Sequence, residues 1–309
     1  RSTLFPYTTL FRSGCPRRGR GQGMKLRSFL PLGIITFLTL LCFCAPLIES
    51  ARGIDSNMAD LGSRFLPPSG TYWLGTDELG RDVFLRLLYG GQVSLGVAFL
   101  AALAAGSIGT LIGMTAGYAG GRTDAVLTRM TDLLIALPSL PLLIILAALD
   151  LEKLGIPADI AEAKYLSLYK IALLIALLSW TTLARLARAR TLVLRQSDFV
   201  RAAQALGVSH GRILLRHILP NILSTVSVAV TLAVGAIILM ESVLSFLGLG
   251  IQPPLPSWGN MLTHAEDQMW ENAQLMIYPG MLIFISVLCF NFMGDALQDR
   301  LDPRNLERK

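Results

Sequence analysis

The three longest stretches of this chain without Asp, Glu, Lys or Arg are 87–121, 217–240 and 272–294. A helix needs roughly 20 apolar residues to cross the hydrocarbon of a bilayer, and each stretch exceeds that length. A core helix of a soluble protein needs charge on its outer face and seldom runs so long without it. Composition agrees. Only 16% of the residues are charged and 53% are hydrophobic, against about a quarter charged in soluble domains. The net charge of +6 comes from Lys and Arg beside the apolar runs. That is the pattern of membrane orientation rather than of a phosphate-binding face, so no nucleic-acid partner is expected.

The apolar segments predict an all-α, polytopic transmembrane bundle of about six spans, near 28–48, 92–116, 126–149, 166–188, 221–246 and 273–294. Gly120-Gly121 predicts a tight turn between the second and third. Lys170 interrupts the fourth. Residues 1–23 begin without Met, are rich in Arg and Gly, and have no helical period, so they read as a non-native or disordered leader. Residues 24–90 read as the first span and a polar segment, 91–296 as the main transmembrane domain and 297–309 as a tail. Lys and Arg in the short loops place both termini, the 117–125 turn and the 189–219 segment in the cytoplasm, and 247–272 outside.

The cytoplasmic segment after the fourth span predicts a short helix, with Ser197 or Asp198 at its start and Gly207 at its stop. Phe199, Ala202, Ala203 and Leu206 share one face by helical spacing, with Arg201 pointing elsewhere. Ser209 caps a second helix, 211–219, ending near Pro220. Such an element suits either a groove in another protein or the lipid surface. His217 reads either as a donor to a loop carbonyl or as a polar helix end. Asp77 reads as a turn cap, with a ligand role as the alternative. Asp82 and Arg86, spaced i, i+4, predict an interfacial helix over 81–89 outside the second span. Glu241, an acid near the end of the fifth span, is either a pore-gating group at membrane depth or an interfacial one. The cysteines and histidines lack metal-ligand spacing, and no cofactor is expected.

Ala202-Ala203-x-x-x-Gly207, followed by His217-Ile218-Leu219-Pro220-Asn221, resembles the "EAA" signature of permease subunits of binding-protein-dependent ABC importers. Three further runs resemble the C-type subunit of the dipeptide, oligopeptide and nickel importers: Leu74 to Asp82, Tyr118 to Asp124, and Leu244 to Gly250 with Pro253, Pro254, Ser257, Trp258 and Gly259. The resemblance covers about 24–300, with Arg201 standing where the general signature has Glu. It implies an inner-membrane pore subunit for peptides, with nickel or glutathione as the alternative cargo. It also implies a coupling helix, whose Phe199, Arg201, Ala202, Ala203, Leu206, Gly207, His217 and Pro220 serve docking to an ATPase. The implied partners are a B-type permease subunit, two ATP-binding subunits docking at 198–219 and an extracytoplasmic binding protein.

Two other classes fit less well. An intramembrane serine protease needs a His base within the bundle, and no His falls inside an expected span. A secondary transporter or channel usually carries paired ionisable groups at midplane, and these spans are nearly free of charge. The chain has no Gly-x-x-x-x-Gly-Lys-Ser/Thr phosphate loop, so an ATP-driven role requires separate ATPase subunits rather than an enzyme in this chain.

Overall fold

A computed structural model of the protein describes residues 20–149, 157, 165–263, 265 and 268–301, with side chains from Phe29 onward. The expectations for 1–19, for most of 150–164 and for the tail beyond 301 lie outside the described residues. Four helices are long and apolar enough to span a bilayer: α3 (Val83–Ala119), α6 (Leu166–Arg195), α8 (His210–Phe246) and α10 (Gln274–Leu301). Two bent pairs supply up to two more spans. They are α1 (Arg20–Phe43) with α2 (Ala45–Arg52), bent by 48°, and α4 (Gly121–Ala136) with α5 (Ser139–Ala147), bent by 83°. Short helices α7 (Asp198–Ala205) and α9 (Asn260–Thr263) complete the set. Among the described residues every regular element is helical, including a 3-10 turn over Leu61–Ser63, with one isolated bridge between Thr76 and Asp82 in the irregular segment 53–82.

Both bends fall at proline. Pro46 opens α2 and Pro138 caps α5. Proline lacks the amide donor and pushes the preceding residue out of helical conformation. Residue 137 accordingly has ψ 135°, so the single span expected over 126–149 is an elbow. Lys170 is accommodated without crossing the apolar layer. Its Nζ donates to the Ala147 and Leu149 carbonyls at 2.7 and 2.8 Å, capping the end of α5 where orphan carbonyls lie.

The bundle is held along α3. Gly109, Gly113 and Gly117 lie four residues apart on one face, against the backbone of α6. A Cβ on Gly113 would stand 2.2 Å from the Ala184 carbonyl oxygen. In lipid, close approach of this kind replaces the hydrophobic drive that holds soluble helices together. Around this seam lie Trp180, Leu183, Ile175, Val97 and Ile237, all buried. Large exposed apolar side chains such as Leu103, Leu111, Leu173, Phe284 and Phe292 cover the outside, as a lipid-facing surface requires.

Three expectations are corrected. The interfacial helix expected over 81–89 is the first part of α3, which runs unbroken for 37 residues, about 55 Å at 1.5 Å per residue. Asp82 and Arg86 do not pair with each other. Asp82 caps α3 by accepting the Leu85 amide at 2.9 Å and pairs with Arg52 at 2.9 Å, while Arg86 pairs with Asp77 at 3.4 Å. The helix expected to end near Pro220 continues as α8, because a π turn over Leu214–Ile218 widens the spiral ahead of the proline ring.

Candidate functional site

At one end of the bundle, α7 and the start of α8 form a helical hairpin. Asp198 stands in the first turn of α7, where a carboxylate complements the helix dipole. The stop after Ala205 has the backbone pattern of a Schellman motif: Gly207 N–H donates to Gln204 O at 3.0 Å and Val208 N–H to Ala203 O at 3.1 Å. Gly207 supplies the required left-handed turn with φ 76°. Ser209 then precedes α8 in extended conformation.

The hairpin is braced from within. Val200 and Ala203 of α7 pack in one cluster with Met114 and Tyr118 of α3 and with Ile213, Ile218 and Ile222 of α8, and Val208 closes it. The Tyr118 hydroxyl lies 2.8 Å from His210 Nδ1 and accepts from Gln204 Nε2 at 3.4 Å. One phenol thus ties the end of α3 to both arms. Behind it, Arg188 makes a bidentate pair with Asp124, at 2.5 and 2.8 Å.

The expected docking face divides on this arrangement. Phe199, Ala202 and Leu206 are exposed, Leu206 to 83%, but Ala203 is turned inward. A helix of eight residues has one face to spend on its own bundle, and the pair Val200 and Ala203, at i and i+3, takes it. Arg201 is exposed beside Ala202 rather than opposite the free face, and Ala205 joins them. Ala205 was missed, although its spacing from Ala202 carries the same signal. His217 is half-buried, with its ring 6.5 Å from that of Phe199, and its carbonyl accepts from Asn221 Nδ2 at 2.6 Å. Pro220 is exposed.

At the opposite end, the segment after α8 tucks back into the bundle. Ser257 and Trp258 are fully buried. Trp258 lies over Gly90 and Gly91 of α3 and donates from Nε1 to the Leu87 carbonyl at 3.0 Å. Its backbone amide donates to Ser94 Oγ, which donates to Glu241 Oε2 at 3.0 Å. Ser245 Oγ donates to Glu241 Oε1 at 2.7 Å and accepts the Ile251 amide. Glu241 is 0% exposed and sits in packed interior. Its role here is to anchor the tucked segment through two serines, and no sequence pattern marked Ser94 as its partner.

The run Leu74 to Asp82 builds a polar cap on the same end. Asp77 is the turn cap expected: its Oδ1 accepts the amides of Leu79 and Arg81, both at 2.9 Å, and its Oδ2 accepts Arg81 Nε at 2.8 Å. Nearby, hydrogen bonds from the Ser63 hydroxyl and the Gly62 amide hold Asp60 below the ordinary aspartate pKa. Among the described residues, no group of His, Cys, Asp and Glu is placed to hold a metal ion.

A multi-span helical bundle with a braced hairpin at one end and an anchored polar loop at the other defines a polytopic membrane protein. The family model described as "Binding-protein-dependent transport system inner membrane component" matches residues 109–307, and the chain belongs to that family, a family of transport permeases rather than enzymes. Among similar curated proteins is a dipeptide transport system permease protein of Alkalihalophilus pseudofirmus, 38% identical over 88% of this chain and 84% of the relative. An oligopeptide transport system permease protein of Bacillus subtilis is 35% identical over 88% and 83%. A glutathione transport system permease protein of Escherichia coli is 40% identical over 93% and 89%.

Proposed function

We propose that this chain is one of two pore-forming subunits of an importer for short peptides, and that separate ATPase subunits drive it through the α7–α8 hairpin. Peptide cargo is supported by the dipeptide, oligopeptide and glutathione systems for which its relatives are named. The observation that carries the mechanism is the hairpin itself. It leaves Phe199, Ala202, Ala205 and Leu206 free on one side and is locked to α3 on the other. A short rigid helix with small residues on its free face seats closely in a groove and transmits a push instead of yielding to it.

In this reading the hairpin end is cytoplasmic, in line with Arg185, Arg188, Arg190, Arg195, Arg212 and Arg216 around it. The Trp258 end is then external, facing the peptide-binding protein, and both termini lie inside. An apolar cavity of about 520 Å³ between the α4–α5 elbow, α6 and α8 opens on the face where a second, B-type subunit completes the pore. The test is co-purification of the chain from its native membrane, followed by an assay of ATP hydrolysis with peptide-loaded binding protein. Two ATPase subunits, one distinct permease partner and peptide-dependent stimulation are expected. A chain that transports peptide as a lone homodimer without nucleotide overturns the proposal.

A further inference from the structure

The free side of α7 has two unlike edges. At about 100° of rotation per residue, Phe199 and Leu206 fall within roughly 20° of each other and form one edge. Arg201 falls roughly 140° from Leu206 and forms the other. Ala202 and Ala205 lie on the arc between them, and all five residues are exposed. The face thus carries an apolar edge, a floor of small residues and a cationic edge.

That cation is uncommitted. Arg185 pairs with Asp132 and Arg188 with Asp124, whereas the Arg201 side chain has no ion pair or hydrogen bond among the described residues. The segment 197–219 holds a single acid, Asp198, against Arg201, Arg212 and Arg216, and Asp198 complements the dipole in the first turn of α7. A helix seated to both edges in a groove takes the Arg201 guanidinium out of water, and an unpaired charge there opposes docking. A carboxylate on the groove wall answers it, because the guanidinium fork matches a carboxylate with two hydrogen bonds. A lipid surface suits this face less well. An interfacial helix turns bulky apolar side chains toward the acyl layer, and here alanines hold the centre of the arc.

We propose that the ATPase groove receiving α7 is asymmetric, apolar on the wall that meets Phe199 and Leu206 and acidic on the wall that meets Arg201, where an Asp or Glu carboxylate pairs with the guanidinium. The inference rests on the importer reading and adds the chemistry of the partner surface. Arg212 and Arg216, exposed on the adjoining arm, add positive potential that draws an acidic partner toward the hairpin.

The test uses the complex co-purified from its native membrane and placed in phosphatidylcholine nanodiscs, with and without phosphatidylglycerol. Both variants change an exposed side chain that holds nothing in the bundle, so the fold is kept. Arg201→Lys preserves the charge and supplies an amine, which a carbodiimide joins to a touching carboxylate as an amide, the water lost being taken up as urea. Mass spectrometry is expected to show position 201 linked to an Asp or Glu of the ATPase subunit. Arg201→Gln is expected to weaken ATPase binding by at least about ten-fold and to flatten its salt dependence. No link to an ATPase acid, a link confined to this chain, or unchanged binding by Arg201→Gln overturns the acidic wall. A deficit that appears only with phosphatidylglycerol assigns Arg201 to the lipid surface and overturns it as well. ATP hydrolysis by the unaltered complex with peptide-loaded binding protein separates the two claims. A response without the link sinks only the acidic wall, and a missing response sinks the importer reading whatever the link shows.

Discussion

Two aspartates placed three residues apart on the hairpin are expected to fail in different ways. Ala203 is 7% exposed and shares a cluster with Met114, Tyr118 and Ile213, with no cation among them. Leaving an unpaired charge in such a place costs about 3–5 kcal/mol, a large part of the ~5–15 kcal/mol that holds most domains folded. Ala203→Asp is therefore expected to lower membrane abundance and the melting temperature. Leu206 is 83% exposed, so Leu206→Asp changes stability by no more than about 0.5 kcal/mol. In an ATPase groove the same substitution forfeits about 2 kcal/mol of apolar burial and desolvates a charge for about 2 kcal/mol more. Together they weaken docking by roughly a thousand-fold. The assay pairs thermal melting by size-exclusion chromatography with peptide-stimulated ATP hydrolysis of the reconstituted complex. If Leu206→Asp remains fully coupled while Ala203→Asp folds normally and is uncoupled, the inward and outward faces of α7 have been assigned the wrong way round.

Three other outcomes are expected. Gly113→Leu, whose Cβ would meet the Ala184 carbonyl at 2.2 Å, pushes α3 from α6 and lowers the melting temperature by an amount equivalent to about 1–3 kcal/mol or more; an unchanged melt refutes the close seam. Glu241→Leu leaves the O–H donors of Ser94 and Ser245 without their carboxylate acceptor, although both oxygens still accept backbone amides, and is expected to cost about 1–3 kcal/mol for each unsatisfied donor, with Trp258 fluorescence reporting release of the tucked segment; an unchanged spectrum and melt would contradict the anchor. A Cys at Trp270, 90% exposed, is expected to react with an impermeant thiol reagent in intact cells. A Cys at Ser257, 0% exposed, should stay silent from either side, and one at Arg212 should react only after permeabilisation; the reverse pattern at 270 and 212 inverts the orientation.

Much of the architecture was legible because it rests on local signals. Uncharged runs located the spans and Gly207 marked the hairpin stop, whereas the single span expected across 126–149 passes over the break at Pro138. What escaped depended on distant partners. A separate helix was expected over 81–89 and the second span only from about 92, with Gly90 and Gly91 between them. Trp258 arrives from far along the sequence to cover the glycines, and Gln92 donates to the Cys42 carbonyl at 2.7 Å, so the helix continues. Helical spacing grouped Ala203 with Phe199, Ala202 and Leu206 on one broad arc. Which edge of that arc turns inward is decided by Tyr118, Ile213 and Ile218, which spacing within α7 does not reveal. Glu241 posed the same difficulty: an acid near a span end looks identical in sequence whether it lines a channel or receives two serine hydroxyls.

The helix α8 begins in the hairpin, beside His210, and finishes at the serine-held Glu241. It is a single rod of 37 residues, about 55 Å long at 1.5 Å per residue. A rod of that length behaves as a lever whose two ends share one motion. Rocking it by about 5° carries one tip roughly 5 Å relative to the other, close to one helical turn. Load applied to the hairpin therefore arrives at the tucked Trp258 segment without a relay of side-chain rearrangements through the middle of the bilayer. If the hairpin is driven as proposed, stiffness along α8 rather than a chain of polar contacts would set how faithfully one end of the rod follows the other. The π turn over Leu214–Ile218, just ahead of Pro220, is where the regular i→i−4 ladder of the rod is interrupted.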